Sequence, residues 1–201
     1  MIVDATDQQF VGRMLDVIDS DIVPLTRRGV AIGDKVFGAA ILRKDDLSLV
    51  VAGSNHETEN PLWHGEVHTL KRFYEIAADQ RPATRDCIFI ATHEPCSLCL
   101  SSITWTGFDN FYFLFGYQDT ADVFNIPHDL NILKEVFRID NGAYARENAY
   151  WTSHSLLAMA DRLPAEERAP VLARVRTLEN VYRELSDTYQ ASKGETDIPL
   201  A

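Results

Sequence analysis

The sequence has few cysteines and no long apolar run. Only three of its 201 residues are cysteines, an odd number that does not suggest a secreted disulfide framework. No apolar stretch approaches the roughly 18–20 residues that a membrane-spanning helix needs. The first segment, MIVDATDQQF, lacks a basic stretch followed by an apolar run, so we expect no signal peptide. These absences favour a cytoplasmic protein with free thiols and no membrane partner.

Basic residues are also scarce. Nineteen Lys and Arg residues stand against 30 Asp and Glu residues, which gives a formal net charge of -11. Such a surface repels phosphate backbones, so we expect no nucleic-acid partner. The hydrophobic fraction of 46% is ordinary for a globular protein, and the chain length suits one domain with an appendage.

Hydrophobic periodicity predicts an alternation of helices and strands in the first 140 residues. A helix is predicted over residues 7–28, followed by a β-hairpin formed by KVFGAAILR and LSLVVAGSN. Then come a helix, a strand, a helix entered through a proline, and a strand: HGEVHTLKRFYEIAAD, DCIFIAT, EPCSLCLSSITW and NFYFLFG. This order predicts a layered α/β domain over residues 1–140.

The pattern changes after Asn141. Two helices are predicted there, ARENAYWTSHSLLAMADRL and AEERAPVLARVRTLENVYRELSDTYQ, and the tail ASKGETDIPLA is predicted to be frayed. The second helix carries a coiled-coil-like stripe with spacings of four and three: Val171, Val175, Leu178, Tyr182, Leu185 and Tyr189. We therefore expect residues 141–201 to form a helical extension that packs on the first domain or on a partner subunit.

Cys96 and Cys99 lie three positions apart at the start of a predicted helix, where both side chains share one face. A disulfide, a redox pair, a metal site and core packing are all possible from this spacing alone. A zinc site needs further donors, and Cys87 lies inside an apolar strand that suits a small core residue. The remaining protein donors should therefore come from the six histidines: His56, His64, His68, His93, His128 and His154.

His64 is the strongest of these candidates because Glu66 follows it at the start of another predicted helix. Together with Cys96 and Cys99 it would give zinc three protein ligands and leave one position open, as in catalytic zinc sites. Glu66 could then act as general base and general acid. A redox pair would leave His64 and Glu66 without a role, and His68 as a ligand would fill the open position.

The order His-Gly-Glu followed by Pro-Cys-x-x-Cys resembles the cytidine deaminase superfamily, over roughly residues 36–137. The resemblance implies a three-layer α/β/α fold with a roughly five-stranded mixed sheet, here followed by C-terminal helices. It also implies a Zn²⁺ cofactor held by His64, Cys96 and Cys99, and Glu66 as the proton carrier. Residues 1–140 would then be the catalytic domain of a zinc-dependent aminohydrolase that acts on a cyclic amidine and releases ammonia.

Four further residues are candidates for substrate binding. Asn55, at the end of a predicted strand, matches the asparagine that hydrogen-bonds the substrate ring in this superfamily. Gly65 would bring its backbone N–H close to the substrate, where a bulky residue would clash. Trp63 could stack on a base or pack under its loop. Asp119 could bind a purine, as in relatives, or cap the next helix.

The run EPCSLCLSSITW followed by YQDTAD looks most like the bacterial guanine deaminase branch. We therefore expect deamination of a free nucleobase or nucleoside, with a guanine-like purine favoured. The alternatives are a cytosine or other amino-heterocycle deaminase, a tRNA adenosine deaminase, which the negative charge opposes, and a non-catalytic zinc-stabilised scaffold. Relatives are dimers or tetramers, so a homodimer or homotetramer is expected.

Overall fold

The computed structural model describes residues 7–122, 124 and 126–201. It contains a five-stranded sheet with strand order β2-β1-β3-β4-β5. The strands are β1 (Gly38–Arg43), β2 (Leu49–Ser54), β3 (Cys87–His93), β4 (Asn110–Phe115) and β5 (Thr152–Ser155). β1 is antiparallel to both β2 and β3, whereas β3, β4 and β5 are parallel. The predicted hairpin and the predicted mixed sheet are therefore confirmed.

Helices cover both faces of this sheet. They are α1 (Asp7–Val17), α2 (Val23–Val30), α3 (Gly65–Glu75), α4 (Ser97–Trp105), α5 (Tyr117–Asp122), α6 (His128–Phe137), α7 (Leu156–Asp161) and α8 (Ala165–Ser192). The single helix predicted over residues 7–28 is divided by a π-helical segment, Ile18–Ile22. Pro24 follows this segment and has no N–H to donate to it, which explains the change in hydrogen bonding.

The alternation of side chains along β3 divides the core into two layers. Ile88 and Ile90 point into one apolar cluster with α1, α2, α7 and α8. Phe89 and Ala91 point into the other, with α3 and α4. All seven residues of β3 are buried, as expected for a strand covered on both faces. The result is the three-layer α/β/α arrangement that the resemblance implied.

The helix predicted from ARENAYWTSHSLLAMADRL is wrong over most of its length. Thr152–Ser155 forms β5, which pairs with β4, and α7 begins only at Leu156. Ser155 caps α7 by accepting a hydrogen bond from the Ala158 N–H at 3.2 Å. Pairing with the open edge of β4, which no local pattern in the sequence reports, therefore overrides helix propensity here.

The stripe on α8 is buried against the chain's own domain, in the apolar cluster that also contains α1, α2 and α7. The division of the chain near residue 140 stays a prediction. In the structure, β5 adds the last strand to the sheet, and α8 packs on the apolar core. Both the sheet and the core begin with residues before 140. Among the described residues, no helix is long and apolar enough to cross a membrane.

The expectation of a frayed tail is wrong. Ile198 is buried, and the side chain of Thr196 lies against Gly33, which has a positive φ of 99°. A Cβ at Gly33 would approach the Thr196 Cγ2 to 2.5 Å. The turn after α2 therefore accepts the tail because it has a glycine at this point.

We expect Gly33→Ala to lower the free energy of unfolding by about 1–2 kcal/mol, because a non-glycine residue is strained at this φ. Chemical denaturation of the purified variant measures the change. Gly194→Ala is the matched control, because no atom lies within 4 Å of a Cβ built there. Equal stabilities for the two variants would contradict the role given to Gly33.

Candidate metal centre and its cavity

Two helices begin at the centre of the site. His64 is the residue immediately before α3, and Cys96 is the residue immediately before α4, with Cys99 one turn further along. The first turn of a helix has unpaired N–H groups and the positive end of the helix dipole. A helix start favours the thiolate form of a cysteine placed there, as at Cys96, and the thiolate is the form that binds metals.

The three side chains come together with a geometry that suits zinc. The Nδ1 atom of His64 lies 3.4 Å from the Cys96 Sγ and 3.8 Å from the Cys99 Sγ, and the two sulfurs are 3.5 Å apart. A tetrahedral zinc with ordinary bond lengths separates such donors by about 3.5–3.8 Å. The expected set is therefore brought together, and it is the single group of at least three potential ligands found in the described part of the chain.

The protonation of the two thiols is unequal. A hydrogen bond from Cys99, helped by His64, holds the pKa of Cys96 well below its usual range despite burial. Burial and the neighbouring Cys96 raise the pKa of Cys99. Burial lowers the pKa of His64, but the hydrogen bond and negative charge of Cys96 outweigh it and raise that pKa to about 9. The thiolate form is therefore favoured at Cys96 over Cys99, and protons on these side chains compete with a cation for the same atoms.

Glu66 lies beside the sulfurs, in the first turn of α3. Its carboxyl group is buried, with 5% of the residue exposed, and it lines the cavity next to the ligands. Burial, followed by the negative charge of Cys96, raises the pKa of Glu66 to about 7. A carboxyl group with a pKa near neutrality can both accept and donate a proton under ordinary conditions.

Gly65 allows the start of α3 to pack directly on the backbone at the start of β1. A Cβ at this position would lie 2.7 Å from the backbone carbonyl of Phe37. A larger residue would push His64 and Glu66 away from the sheet and from the cysteines. The expected contact between the Gly65 N–H and substrate stays a prediction, and the structure adds this packing requirement to it.

A cavity of about 190 Å³ opens beside the three ligands. Its walls come from the segments before β1, after β2 and around α4 and α6, and from the tail. They are lined by Lys35, Phe37, Glu57, Pro61, His64, Glu66, Glu94, Cys96, Ser97, Leu98, Cys99, Ile126, His128, Asp129, Ile132, Pro199 and Leu200. Four carboxyl groups and one lysine make this lining acidic.

Asn55 is placed behind the cavity wall. It is 1% exposed and does not line the cavity. Its Oδ1 accepts hydrogen bonds from the backbone N–H groups of Lys35 at 3.2 Å and Glu57 at 3.1 Å, and its Nδ2 donates to the Glu57 carboxylate. Asn55 thus holds two residues that do face the cavity, and its own binding role stays a prediction.

Trp63 and Asp119 also lie outside the lining of this cavity. The ring of Trp63 stacks on those of His56 and His68, with centroids 6.1 and 5.8 Å apart. Asp119 accepts a hydrogen bond from the Gly116 N–H at 2.8 Å and borders a second cavity that contains Arg146. Their substrate-binding roles stay predictions that the structure does not support.

Four cavity residues were missed by sequence reasoning: Lys35, Glu57, Glu94 and Asp129. Asp129 lies in the first turn of α6, and burial, followed by the charges of Cys96 and Glu66, raises its pKa. Its position in HDLNILKEV after a strand was the available signal. The other signals were an acid two residues after Asn55, an acid two residues before Cys96, and a lysine just before a strand.

Glu94 connects the start of α4 to the segment before β5. Its carboxylate accepts hydrogen bonds from the Tyr144 hydroxyl at 2.8 Å and the Tyr117 N–H at 3.1 Å, and it pairs with Arg146 at 2.7 Å. Burial raises the pKa of Glu94. These contacts hold the carboxyl group two residues before Cys96, between the site cavity and the second cavity.

Comparisons with known proteins found one family model and several solved structures to which the chain is similar. Residues 22–115 match the model of the cytidine and deoxycytidylate deaminase zinc-binding region. A solved guanine deaminase from Nitrosomonas europaea is 20% identical, with a TM-score of 0.50 and coverage of 89% of this chain and 87% of that one. A mutant protein in complex with 8-azaguanine is 19% identical, with a TM-score of 0.50 and coverages of 88% and 87%. A guanine deaminase from Bacillus subtilis is 23% identical, with a TM-score of 0.49 and coverages of 84% and 93%. The comparison with curated proteins gave no match.

The donor set, the buried glutamate and the matched zinc-binding region together define a zinc-dependent hydrolytic deaminase. Residues 22–115, just under half of the chain, are similar to this deaminase zinc-binding region, and the mixed five-stranded sheet is the one that the resemblance implied.

We expect Cys96→Ser to abolish zinc binding, because a neutral hydroxyl replaces the thiolate of a three-ligand site. The zinc content of the purified protein, measured by atomic emission, should fall from about one ion per chain to near zero. Cys87→Ala is the control, since Cys87 lies in β3 and outside the ligand group. Zinc retained at the wild-type level in Cys96→Ser would contradict the assignment.

Proposed function

We propose that the protein deaminates a free nucleobase or nucleoside by hydrolysis, with a guanine-like purine as the favoured substrate. The observation that carries this proposal is a donor set of His64, Cys96 and Cys99 that opens onto a cavity with Glu66 in its wall. A structural zinc site is closed by four protein ligands and needs neither a cavity nor a buried acid beside it.

Bound zinc would supply a Lewis acid and a water of lowered pKa. Glu66 accepts one proton of the water as its oxygen adds to the ring carbon that carries the amine. Glu66 passes this proton to the adjacent ring nitrogen, which has taken the electron pair of the C=N bond. It then carries the remaining hydroxyl proton to the amine nitrogen, so that the C–N bond breaks, ammonia leaves and the carbonyl group forms. A pKa near 7 suits both transfers, because the carboxyl group must take and give the same proton within one turnover.

The size of the cavity supports a single heterocycle as the substrate. Its volume of about 190 Å³ is below the range of about 300–1,000 Å³ that holds drug-sized ligands. The acidic lining disfavours a phosphate group, so a free base or nucleoside suits it better than a nucleotide. The net charge of -11 opposes a tRNA substrate in the same way.

A purine is supported by the fold shared with a guanine deaminase and with a protein bound to 8-azaguanine. Cytosine or its nucleoside is the second candidate, because the matched family model describes cytidine and deoxycytidylate deaminases. A panel of bases and nucleosides, assayed by ammonia release, separates the two.

Glu66→Gln tests the catalytic role directly. We expect kcat to fall by at least about 100-fold, because an amide cannot carry the proton, while zinc content stays unchanged. Ammonia release and metal analysis on the same preparation measure both. Glu75→Gln is the control on the same helix, since its carboxylate lies at the surface and pairs with Lys71. Full activity of Glu66→Gln would sink the proposed mechanism, and a zinc-only scaffold would release no ammonia in either form.

We also propose that the protein acts in the cytoplasm as a homo-oligomer. A reducing compartment is supported by its three free thiols. Self-association is supported by an apolar surface on α3 and α4, where Trp105 is 90% exposed and Tyr74 is 46% exposed. These residues surround an open groove that also contains Val67 and Leu98.

We expect Trp105→Glu to shift the protein toward the monomer, because it places a charge in the centre of this surface. Sedimentation velocity of the variant and the wild type at matched concentrations measures the change. Val136→Glu is the control, since Val136 is 68% exposed on α6. A wild-type protein that sediments as a monomer at every concentration would refute the proposed interface.

A further inference from the structure

We propose that Lys35 and Glu57, held in place by Asn55, form a pair that recognises an adjacent carbonyl oxygen and ring N–H of the substrate. The inference rests on the proposed function and narrows it to oxo-purines of the guanine type. In this proposal, Lys35 and Glu57 make the polar contacts with substrate that were expected of Asn55, and Asn55 holds these two residues in place.

The pair lies in the cavity wall, next to a metal ligand. The Lys35 Nζ is 3.0 Å from the Glu57 Oε1, and both residues are only 5% exposed. The same Oε1 lies 3.7 Å from the His64 Nε2, on the side of the imidazole away from the sulfurs. A substrate that reaches the ligands therefore comes within reach of Lys35 and Glu57.

Asn55 fixes both residues. Its Oδ1 accepts from their two backbone N–H groups, and its Nδ2 donates to the second carboxylate oxygen of Glu57. The polar atoms of Asn55 are thus occupied, and the rotamers of the pair are constrained. Such support allows recognition groups to be held without a large loss of side-chain entropy on binding.

The pair has hydrogen-bonding capacity left for a ligand. An ammonium group has three N–H donors, and Glu57 is the one side-chain acceptor of the Lys35 Nζ within the described ranges. Each carboxylate oxygen has two acceptor positions, so Glu57 can accept a further hydrogen bond. The positive charge also acts on the cavity, because after burial it is Lys35 that lowers the pKa of His128.

A contribution to folding stability does not by itself explain why the Lys35–Glu57 ion pair is buried beside the cavity. A buried ion pair loses the hydration of both charges, and its net contribution to folding is often near zero. A donor and an acceptor 3.0 Å apart in a small cavity are instead complementary to a C=O group beside an N–H group. Guanine presents this edge, at its oxo group and the adjacent ring nitrogen. Adenine and 2-aminopurine lack it, and cytidine has the oxygen without the neighbouring N–H, because the sugar occupies that ring nitrogen.

Binding of non-reacting purines tests the pair separately from catalysis. Hypoxanthine has the carbonyl and N–H edge, whereas purine lacks it, and neither carries the amine that leaves. Isothermal titration calorimetry on the zinc-loaded protein should show at least about tenfold tighter binding of hypoxanthine, the equivalent of one good hydrogen bond. Equal affinities would overturn the inference without any variant.

Lys35→Met then assigns the selectivity to the pair. We expect the affinity ratio of hypoxanthine to purine to fall to within about threefold, with zinc content unchanged. Lys44→Met is the matched control, because Lys44 also pairs with a carboxylate, that of Asp109, but outside this cavity. Glu57→Gln provides a second route if loss of the ammonium prevents folding, and it should reduce the same ratio.

The outcomes distinguish a failure of the Lys35–Glu57 pair from a failure of the proposed deaminase activity. A retained ratio in folded Lys35→Met or Glu57→Gln overturns the pair and leaves the deaminase proposal intact. Selective binding of hypoxanthine without ammonia release from any base or nucleoside of the panel supports the pair and overturns the proposed activity. Loss of the ratio in both variants together with guanine turnover by the wild type supports both.

Discussion

The convergence of two helix N-termini on one point is the constraint on which the site depends. α3 and α4 begin side by side, so residues 32 positions apart, His64 and Cys96, come within 3.4 Å of each other. Both helices rest on the same layer of the core, against β1 and β3. The packing of both helices on the sheet therefore fixes the separation of the donors.

This convergence concentrates negative charge. Two cysteines and four carboxyl groups lie together around a small cavity, and burial raises the pKa values of Glu66, Glu94 and Asp129. Cations offset part of the charge, with Lys35 on one wall and Arg146 behind Glu94. A bound divalent ion would offset more, so the protein's stability and its metal content should be linked thermodynamically. The same electrostatics favour an uncharged heterocycle as the occupant of the remaining space.

The sequence predicts what is local and periodic. The strands β1 to β4, the helices α3, α4 and α8, and the metal ligands follow from short patterns whose chemistry can be interpreted without neighbours. β5 could not be predicted, because four polar residues become a strand only when the edge of β4 is available to them. The position of Asn55 behind the cavity wall depended on its hydrogen bonds to residues on two loops. Lys35 and Asp129 were missed because their local patterns, a lysine before a strand and an acid in the first turn of a helix, do not show that both side chains reach the same cavity.

The carboxylate of Glu94 links the segment just before the metal ligand Cys96 to a segment much later in the chain. Its partners Tyr144 and Arg146 come 50 or more residues later in the chain, in the segment that leads into β5. Without that segment, the carboxylate of Glu94 keeps its hydrogen bond from the Tyr117 N–H but has neither the guanidinium of Arg146 nor the hydroxyl of Tyr144. The metal ligands and Glu66 all lie in the first 140 residues, whereas the charge balance of the neighbouring Glu94 depends on the segment that leads into the last strand of the sheet.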